Sequence, residues 1–493
     1  MPIPTQAQPW TFHGRHTELA ALQAVLGRGR FFLLRMAGRR RIGKTTLVLE
    51  AMRRSGRARV AYVQCADADA AGVVAGARAH LQLSGVPDAA PTSLNGLAAT
   101  IGSLLREGWV VVLDEFQVFA RQALSAFPSA LQFEVDRLLD PTASPTTGGL
   151  VLLGSVMTEM EALLDGRRAP LYGRCTDVLS LDHLRATECA AILDRYGAMG
   201  GQQLLFWWTL LQGIPKYWRD AFEVGALPLQ RQSAVAALFF EGTAPLSAEG
   251  QGWLADELRG RYDVLLRYLA RNPGSSRADI TAHLASVAGP TSHQVGPWLV
   301  ALEERFRLVQ RREPVHGESK GRDGRYAITD NFLLAWLGAL ADPVALSGVR
   351  PLPELLAEAD RRLATLEGFA FERLVAELYH QRSAAGRGFA VTARVGRWWD
   401  RTGADLDLVA IDAQSHTLRV GSSKRSADKL PGDCGAFEAA LSRLLARHPQ
   451  WASWKLERVA LAPEIDADRR AALVRNGWIV EDVPQLLGEA AAT

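Results

Sequence analysis

Short apolar runs alternate with amphipathic segments over the first 180 residues of the chain. Helical spacing at 16–27 (HTELAALQAVLG) is followed by a mostly apolar run at 30–36 (RFFLLRM) that predicts a buried strand. Similar runs recur at 59–65, 109–113, 150–154 and 178–181. Short buried strands that alternate with helices are typical of parallel sheets, so the pattern predicts an α/β domain with a parallel sheet over 10–182.

The hydrophobic pattern changes character after residue 182. Strand signals disappear over 183–256, where helical spacing predicts a small helical lid. Residues 257–330 contain three helical segments and then two short strand-like runs around a charged tip, which predicts three helices and a two-stranded wing. The helical segments are 262–271, 276–285 and 291–304.

The rest of the chain returns to an α/β pattern. Residues 331–360, rich in Leu, Ala and Pro, predict a connector. Residues 361–487 predict a further α/β domain. Its predicted elements are helices at 366–380 and 434–448 and strands near 389–397, 405–412, 417–422 and 456–461.

Length and composition agree with this multidomain interpretation. A chain of 493 residues corresponds to about three or four domains. Apolar residues make up 48% and charged residues 22%, which excludes disordered, collagen-like and coiled-coil proteins. The net charge is only +3, so any nucleic-acid site must be a local basic patch.

Lysine is rare in this sequence. Only six of the 56 basic residues are lysines, and the other 50 are arginines. A lysine that remains therefore marks a position where arginine is a poor substitute. The six are Lys44, Lys216, Lys320, Lys424, Lys429 and Lys455.

Cysteine usage and the apolar stretches predict a cytoplasmic protein without a membrane partner. Four cysteines with no CxxC pair argue against a disulfide framework or a zinc site. The N-terminus lacks the order of charges of a signal peptide. The uncharged stretch at 196–215 has an apolar centre about one third as long as a membrane-spanning helix requires.

A phosphate-binding motif follows the first predicted strand. Residues 38–45 (GRRRIGKT) match GxxxxGK[ST] and open a predicted helix. Glycines allow backbone N–H groups to close around phosphate oxygens, and the helix N-terminus adds its positive end. Lys44 is expected to reach the β and γ phosphates of ATP, and the Thr45 hydroxyl to bind Mg²⁺. The predicted nucleotide-binding residues are Gly38, Arg39, Arg40, Arg41, Ile42, Gly43, Lys44, Thr45 and Thr46.

Two carboxylates end the apolar strand at 109–113. Asp114 is placed to hold Mg²⁺ and Glu115 to orient or deprotonate the attacking water. An Asp-Glu pair can also simply mark the end of a strand. Its position about 65 residues after a phosphate loop favours the functional interpretation.

The ordered set of motifs resembles the archaeal-type P-loop ATPases, which are AAA+-like and close to the STAND class. The motifs are FHGR at 12–15, GRRRIGKT, LDEFQ, LLGS and PLYGR, and the resemblance covers most of 10–220. It implies a sheet with the phosphate-loop strand at its centre. It also implies that Ser155 senses the γ-phosphate, that Arg174 is a catalytic arginine finger, and that Pro215, in a Gly-x-Pro turn, lies near the adenine. The alternatives are a strand-end cap for Ser155, a salt bridge for Arg174 and an ordinary turn for Pro215.

Residues 276–306 and the following strands resemble a winged helix-turn-helix. The start of the recognition-helix candidate is Thr291, Ser292, His293 and Gln294. Seven basic and three acidic residues between 305 and 325 leave a local charge of +4, which is typical of phosphate contacts. The candidate DNA contacts there are Arg311, Arg312, Lys320, Arg322 and Arg325. A winged helix that contacts protein is the alternative.

Residues 360–485 resemble a restriction-endonuclease-like, PD-(D/E)xK-type domain in which one carboxylate is missing. Asp407 and Lys424 match two of the catalytic positions, but Ser422 stands where the second carboxylate is expected. A hydroxyl adds no charge for a divalent cation, although Asp405 or Glu372 could compensate. The sequence therefore predicts a degenerate domain that is retained for binding or architecture.

These features together predict a multidomain protein that binds and hydrolyses ATP with Mg²⁺ and couples its nucleotide state to DNA. Two alternatives stay open. One is an ATP-dependent DNA nuclease, and the other is a STAND-like switch that binds a protein partner or itself without nucleic acid.

Overall fold

The parallel sheet predicted from the N-terminal apolar runs is present in the computed structural model. The model describes residues 9–86, 89–140, 142, 144–155, 157–252, 258, 260–287, 292–317, 324–430 and 434–490. It forms two compact units. The first contains Thr11–His183 and Ile214–Lys216, and the second contains Leu184–Gly213 and the described residues from Tyr217 onward.

Five parallel strands in the order β2-β3-β4-β1-β5 build the sheet of the first unit. The strands are β1 (Phe32–Gly38), β2 (Val60–Gln64), β3 (Val110–Asp114), β4 (Gly149–Gly154) and β5 (Asp177–Leu181). Strand β1, which leads into the phosphate loop, is paired on both sides. It is nevertheless fourth in the order, so the expected central position is wrong by one strand.

Side-chain alternation along the strands divides the core of the first unit into two layers. Leu33, Val111 and Leu152 face one side, whereas Leu34, Val112 and Leu153 face the other. Six helices cover the two faces, so both sides of the parallel sheet are buried. The helices are α1 (His16–Leu26), α2 (Lys44–Ser55), α3 (Ala70–Leu83), α4 (Leu94–Arg106), α5 (Ala126–Leu139) and α6 (Met157–Leu164).

The described part of the segment predicted as a lid contains helices joined by turns and no strand. Its helices are α7 (Ala186–Tyr196), α8 (Gly201–Leu211), α9 (Pro215–Glu223), α10 (Arg231–Phe239) and α11 (Pro245–Gly252). Apart from the start of α9, these helices group with the second unit rather than with the phosphate-loop unit. Their role as a lid stays a prediction.

Three helices and a small antiparallel sheet follow in the predicted order. The helices are α12 (Arg261–Arg271), α13 (Arg277–Val287) and α14 (Ser292–Val300). The strands are β6 (Ser275–Ser276), β7 (Val309–Arg312) and β8 (Arg325–Ile328), in the order β6-β8-β7. The two long strands of this sheet are the two that the sequence predicts for the wing.

The segment predicted as a connector forms part of the hydrophobic core. It contains α15 (Asn331–Ala335), α16 (Ala341–Ala345) and the start of α17 (Leu352–Ala384). Phe332, Leu333 and Trp336 are at most 3% exposed. The Leu-rich composition of 331–360 therefore reflects burial.

A mixed five-stranded sheet in the order β13-β12-β11-β10-β9 forms the C-terminal part. Its strands are β9 (Gly396–Trp399), β10 (Asp405–Asp412), β11 (Thr417–Ser423), β12 (Lys455–Ala462) and β13 (Ile479–Asp482). The flanking helices beyond α17 are α18 (Cys434–Arg447), α19 (Ala467–Arg475) and α20 (Val483–Ala490). Strand β9 begins at Gly396, later than predicted, and the sequence did not indicate the four-residue β13.

No helix in the described ranges is both long enough and apolar enough to cross a membrane.

Candidate functional site

The phosphate loop connects the end of β1 to the first residue of α2. Arg41 and Gly43 have φ values of 68° and 90°, the left-handed region that lets the loop turn tightly. A β-carbon at Gly38 would lie 2.7 Å from the carbonyl oxygen of Leu181, so this position has no room for a side chain. Ile42 is buried, whereas Arg40, Arg41 and the third residue of α2, Thr46, are exposed.

Lys44 lies inside the curve of the loop. Its Nζ donates to the backbone oxygens of Gly38 and Arg39, both at 2.9 Å, and the residue is 6% exposed. Burial lowers the pKa of Lys44, while Glu115 and Asp114 act in the opposite direction. The ammonium group is therefore held by carbonyl oxygens that an anionic ligand can replace.

The carboxylate of Asp114, at the end of β3, accepts hydrogen bonds from three donors. Its Oδ2 accepts hydrogen bonds from Thr45 Oγ1 at 2.6 Å and from the Tyr62 hydroxyl at 2.7 Å. Its Oδ1 accepts from the backbone N–H of Glu115 at 2.8 Å. Thr45 and Asp114 supply the oxygen ligands that Mg²⁺ prefers, so these two residues fit the ion that the motif implies.

Glu115 leaves the strand in a left-handed conformation, with φ of 57°. A non-glycine residue there is uncommon, and such strain concentrates at functional sites. The chain then forms a short 3₁₀ turn, Phe116–Ala120. This turn brings Gln117 back toward Glu115.

Glu115, Gln117 and Ser155 form a closed hydrogen-bonded cluster. Ser155 Oγ donates to Glu115 Oε2 at 2.9 Å, and Gln117 Nε2 lies 3.1 Å from Ser155 Oγ. Gln117 Nε2 also donates to the Glu115 carboxylate. Two of these residues, Glu115 and Ser155, are predicted from the sequence, and the structure brings them together.

Sequence reasoning missed three residues around this site. Gln117 is the last residue of the LDEFQ motif, which was the available signal. Tyr62 gave no signal beyond its place in β2. Arg15, in the FHGR motif, is 4% exposed and donates to the backbone oxygens of Ile42, at 3.2 Å, and of Asp182.

Two further residues implied by the family resemblance have different surroundings. A β-carbon at Gly43 would lie 3.7 Å from Pro215 Cγ, so Pro215 lies beside the phosphate loop. Arg174 forms a two-point ion pair with Asp136 of α5, with Nε–Oδ1 and Nη2–Oδ2 distances of 2.5 and 3.0 Å. The hydrogen bond to Asp136 raises the pKa of Arg174. Arg174 is thus engaged in the salt bridge that was its alternative interpretation.

The C-terminal sheet and α17 bring the five predicted nuclease-site residues to neighbouring cavities of about 540 and 580 Å³. Glu372 lines the first, and Asp405 and Ser422 line the second. Asp407 and Lys424 line both. The sequence spacing therefore identified residues that lie together in space.

Each carboxylate of this cluster already has a cation beside it. Lys424 Nζ lies 2.6 Å from Asp407 Oδ2. Arg397 makes a two-point contact with Asp405 and lies 3.3 Å from Glu372. Burial raises the pKa of Glu372 to about 7, although Arg397 opposes the shift. Within the described ranges no three His, Cys, Asp or Glu residues are arranged to hold a metal ion.

The three described candidate DNA contacts of the wing, Arg311, Arg312 and Arg325, do not share one surface. Arg311 pairs with Glu313 at 3.0 Å. Burial lowers the pKa of Arg312 and of Arg325, and Glu372 is the largest opposing charge at Arg312. The Arg325 guanidinium lies 4.8 Å from the centre of the Trp399 ring. Arg312 and Arg325 therefore face the C-terminal sheet.

The other candidate contacts are described in part or not at all. Gln294 is exposed in the first turn of α14, and Ser292 and His293 begin that helix. Thr291, Lys320 and Arg322 lie outside the described residues.

This chain is similar to an uncharacterized protein in sequence and to a solved ATPase structure in fold. A family model described as archaea bacterial proteins of unknown function (DUF234) matches residues 350–427. An uncharacterized protein of Methanocaldococcus jannaschii is 23% identical over 429 residues, which cover 81% of this chain and 84% of that protein.

The solved structures similar to this chain include those of a Walker-type ATPase and an ORC2 protein. The Walker-type ATPase of Pyrococcus abyssi has a TM-score of 0.50 at 16% identity and covers 66% of this chain and 96% of its own. The Aeropyrum pernix ORC2 protein has a TM-score of 0.46 at 16% identity and covers 71% and 94%. The first match shows that this chain shares the fold of a Walker-type ATPase.

Proposed function

We propose that this protein binds ATP with Mg²⁺ at the phosphate loop and hydrolyses it. The observation that carries the proposal is the 2.6 Å hydrogen bond between Thr45 and Asp114, next to the buried ammonium group of Lys44. Thr45 and Asp114 would hold the Mg²⁺, which when bound neutralises charge on the phosphates. Lys44 exchanges its two carbonyl partners for phosphate oxygens, and the N-terminus of α2 contributes backbone N–H groups.

Glu115 is the base in this proposal. A carboxylate orients the attacking water and accepts its proton. Here it is hydrogen-bonded to Ser155, so a ligand that engages Ser155 also changes the surroundings of the base. Arg174 acts as a finger only after it leaves Asp136, and the adenine lies beside Pro215.

We further propose that the nucleotide state controls DNA binding by the helix-and-wing segment and the C-terminal domain. Exposed Gln294 and the local charge of +4 over residues 305–325 of the sequence support the interpretation as a winged helix. Cleavage is not part of the proposal. Arg397 already engages Asp405 and Glu372, and Ser422 adds no charge, so the cluster is poorly suited to hold a divalent cation.

A second candidate function is a signalling switch that binds a protein partner. One observation favours it. Arg312 and Arg325 face the C-terminal sheet, which leaves fewer wing cations for phosphate contacts. Salt-dependent DNA binding separates the two candidates, because release of counterions from DNA makes such binding weaken with salt.

The test measures the ATPase rate with and without DNA on one purified sample. We expect Mg²⁺-dependent turnover that changes on addition of DNA, and no turnover in Lys44→Ala. Thr45→Ala should lose activity, and Thr45→Ser, which keeps the hydroxyl, is the matched control. Undiminished turnover in Lys44→Ala would contradict the assignment of the site, and turnover without DNA binding would favour the signalling switch.

A further inference from the structure

The cavity of about 540 Å³ has two chemically different walls. Gly368 and Phe369 of α17 form one part of the lining, and Ser423 at the end of β11 and Lys424, Arg425 and Lys429 after it form a cationic wall. This volume lies in the range of sites for small organic ligands, which is about 300–1,000 Å³. The cavity is thus large enough for one nucleotide.

The cationic wall carries more positive charge than its neighbours use. Lys424 pairs with Asp407, and Arg425 donates through Nε to Glu367. Lys429 is exposed and has no hydrogen bond or ion pair from its side chain to the rest of the described chain. Lys429 is the cation that remains available to a ligand.

Two of the six lysines of the chain line this one cavity. Lysine carries a compact ammonium charge on a flexible stem, which suits a phosphate group approached from several directions. Arginine dominates elsewhere in the sequence. The concentration of lysines therefore points to a phosphate group at this wall.

The Ser423 hydroxyl supplies an independent observation. Ser423 is 8% exposed and lines the cavity, and its buried Oγ has no hydrogen-bond partner in the described structure. Buried polar groups normally have partners, and an exception calls for a physical reason. A phosphate oxygen in the cavity would accept the unused hydrogen bond.

Two carboxylates, Asp407 and Glu372, line the cavity, but nearby cations reduce their repulsion of an anionic ligand. Asp407 is neutralised by Lys424, and Glu372 lies 3.3 Å from Arg397. In the α17 part of the lining, Phe369 is half-buried, and a β-carbon at Gly368 would meet no atom of another element within 4 Å. An aromatic ring in such a position can stack on a nucleobase.

We propose that this cavity binds a nucleotide unit without a metal ion. The phosphate lies against Ser423 and Lys429, beside the Lys424–Asp407 ion pair, and the base lies against Phe369. The proposal deepens the proposed function, because it assigns the C-terminal domain a contact with single-stranded DNA. A free mononucleotide carries the same chemistry and is the other source of such a ligand.

The experiment measures binding in EDTA with the full chain carrying Lys44→Ala, so that the phosphate loop does not contribute. The probes are a fluorescent thymidine oligonucleotide and dTMP. Lys429→Glu is compared with Lys429→Arg, which keeps the charge, and with Arg475→Glu, a matched reversal of an exposed cation on α19. Phe369→Leu tests stacking at similar volume.

We expect Lys429→Glu to weaken oligonucleotide binding about tenfold and to reduce the slope of log K against log salt by about 0.7. Lys429→Arg and Arg475→Glu should retain binding, and Phe369→Leu should weaken it about tenfold. Equal affinities for Lys429→Glu and Arg475→Glu would overturn the proposal, and so would binding that requires Mg²⁺. Because Lys429 is exposed, this comparison remains valid even if Phe369→Leu does not fold.

Two outcomes separate this proposal from the proposed function. In the first outcome, DNA changes the ATPase rate of the unmodified chain, but Lys429→Glu does not change DNA binding. This result would support the proposed function and contradict the proposed nucleotide site. In the second outcome, dTMP binds in a manner that depends on Lys429, but DNA does not bind. This result would support the nucleotide site and contradict the proposed control of DNA binding.

Discussion

Asp114 and Glu115 are adjacent in the chain but have different surroundings. Asp114 accepts hydrogen bonds from Thr45 and Tyr62, next to the phosphate loop. Glu115 turns away through its left-handed backbone and meets Gln117 and Ser155. The backbone conformation of one residue thus gives two neighbouring carboxylates separate roles.

This difference predicts different defects at the two positions. Glu115→Gln keeps the size of the side chain but loses the base, so we expect ATP binding with hydrolysis slowed by about 10²-fold or more. Asp114→Asn should instead raise the Mg²⁺ concentration that is needed for half of the maximal rate, because a neutral amide binds Mg²⁺ less well than a carboxylate. Single-turnover hydrolysis and nucleotide titration on the same samples measure both effects. Normal turnover by Glu115→Gln would remove Glu115 from the mechanism.

At the scale of secondary-structure elements, β10 and β11 place Asp407, Ser422 and Lys424 around shared cavities. Asp405 and Asp407 are two residues apart in β10, so they project from the same face. Ser422 lies in the part of β11 that pairs with β12, and it is 7% exposed. The strands therefore maintain the geometry of a site whose charge is incomplete.

Restoring that charge is a direct test of the degenerate domain. Ser422→Glu should raise the affinity for Mg²⁺ or Mn²⁺, because a second carboxylate then faces the cavity beside Asp407. Ser422→Gln has the same size without the charge and should not. Metal titration by calorimetry and a plasmid cleavage assay measure the two effects. Robust cleavage by the unmodified protein that disappears in Asp407→Ala would show that Asp405 or Glu372 replaces the missing ligand.

A second element-scale prediction concerns the segment after β7. The His316 ring meets the edge of Trp451 at 5.2 Å, and His448 stacks on the same Trp451. Burial, and then the charge of His448, lower the pKa of His316 to about 4. The folded state therefore disfavours protonation, so the stability that this group contributes is present above pH 6.5 and is lost as the pH falls toward 4.

We expect the unfolding free energy to fall between pH 7 and pH 5, because the unfolded chain takes up a proton at His316 that the folded chain disfavours. His316→Phe removes the titrating group and keeps an aromatic ring against Trp451. Urea unfolding followed by tryptophan fluorescence at both pH values measures the difference. An equal loss of stability in the variant and the unmodified chain would contradict the role of His316.

At the scale of the whole molecule, the wing contains two kinds of cation. Arg312 and Arg325 are half-buried against the C-terminal sheet. Arg311 is half-buried too, but it pairs locally with Glu313. Reversal of Arg312 would place a carboxylate near Glu372 and would test folding rather than DNA binding. A test of DNA binding should therefore leave Arg312 and Arg325 unchanged.

The corresponding variant changes Arg311, Lys320 and Arg322 to Glu. We expect weaker binding of duplex DNA. The slope of log K against log salt concentration should fall by about 0.9 for each phosphate group that the variant no longer neutralises. Fluorescence anisotropy at several salt concentrations measures both, and Arg475→Glu is the control for net charge. Unchanged affinity and slope would assign the module to protein contacts.

Features that depend on contiguous residues could be predicted from the amino-acid sequence alone. The phosphate loop is eight consecutive residues between a strand and a helix, and the structure shows that strand ending at Gly38 and that helix beginning at Lys44. The parallel sheet was predictable because continuous apolar runs reflect burial on both faces. The mixed C-terminal sheet was predictable in part, since β10 and β11 match their predicted runs and the short β13 has no distinct pattern.

Which distant side chains meet depends instead on the tertiary structure. Ser155 contacts Glu115 across 40 residues of sequence, and Arg174 forms its ion pair with Asp136. The same holds for Arg312 and Arg325, which look like surface cations in the sequence and pack against the C-terminal sheet in the structure. Periodicity specifies which face of an element is buried, but the partner on that face depends on how separate elements pack.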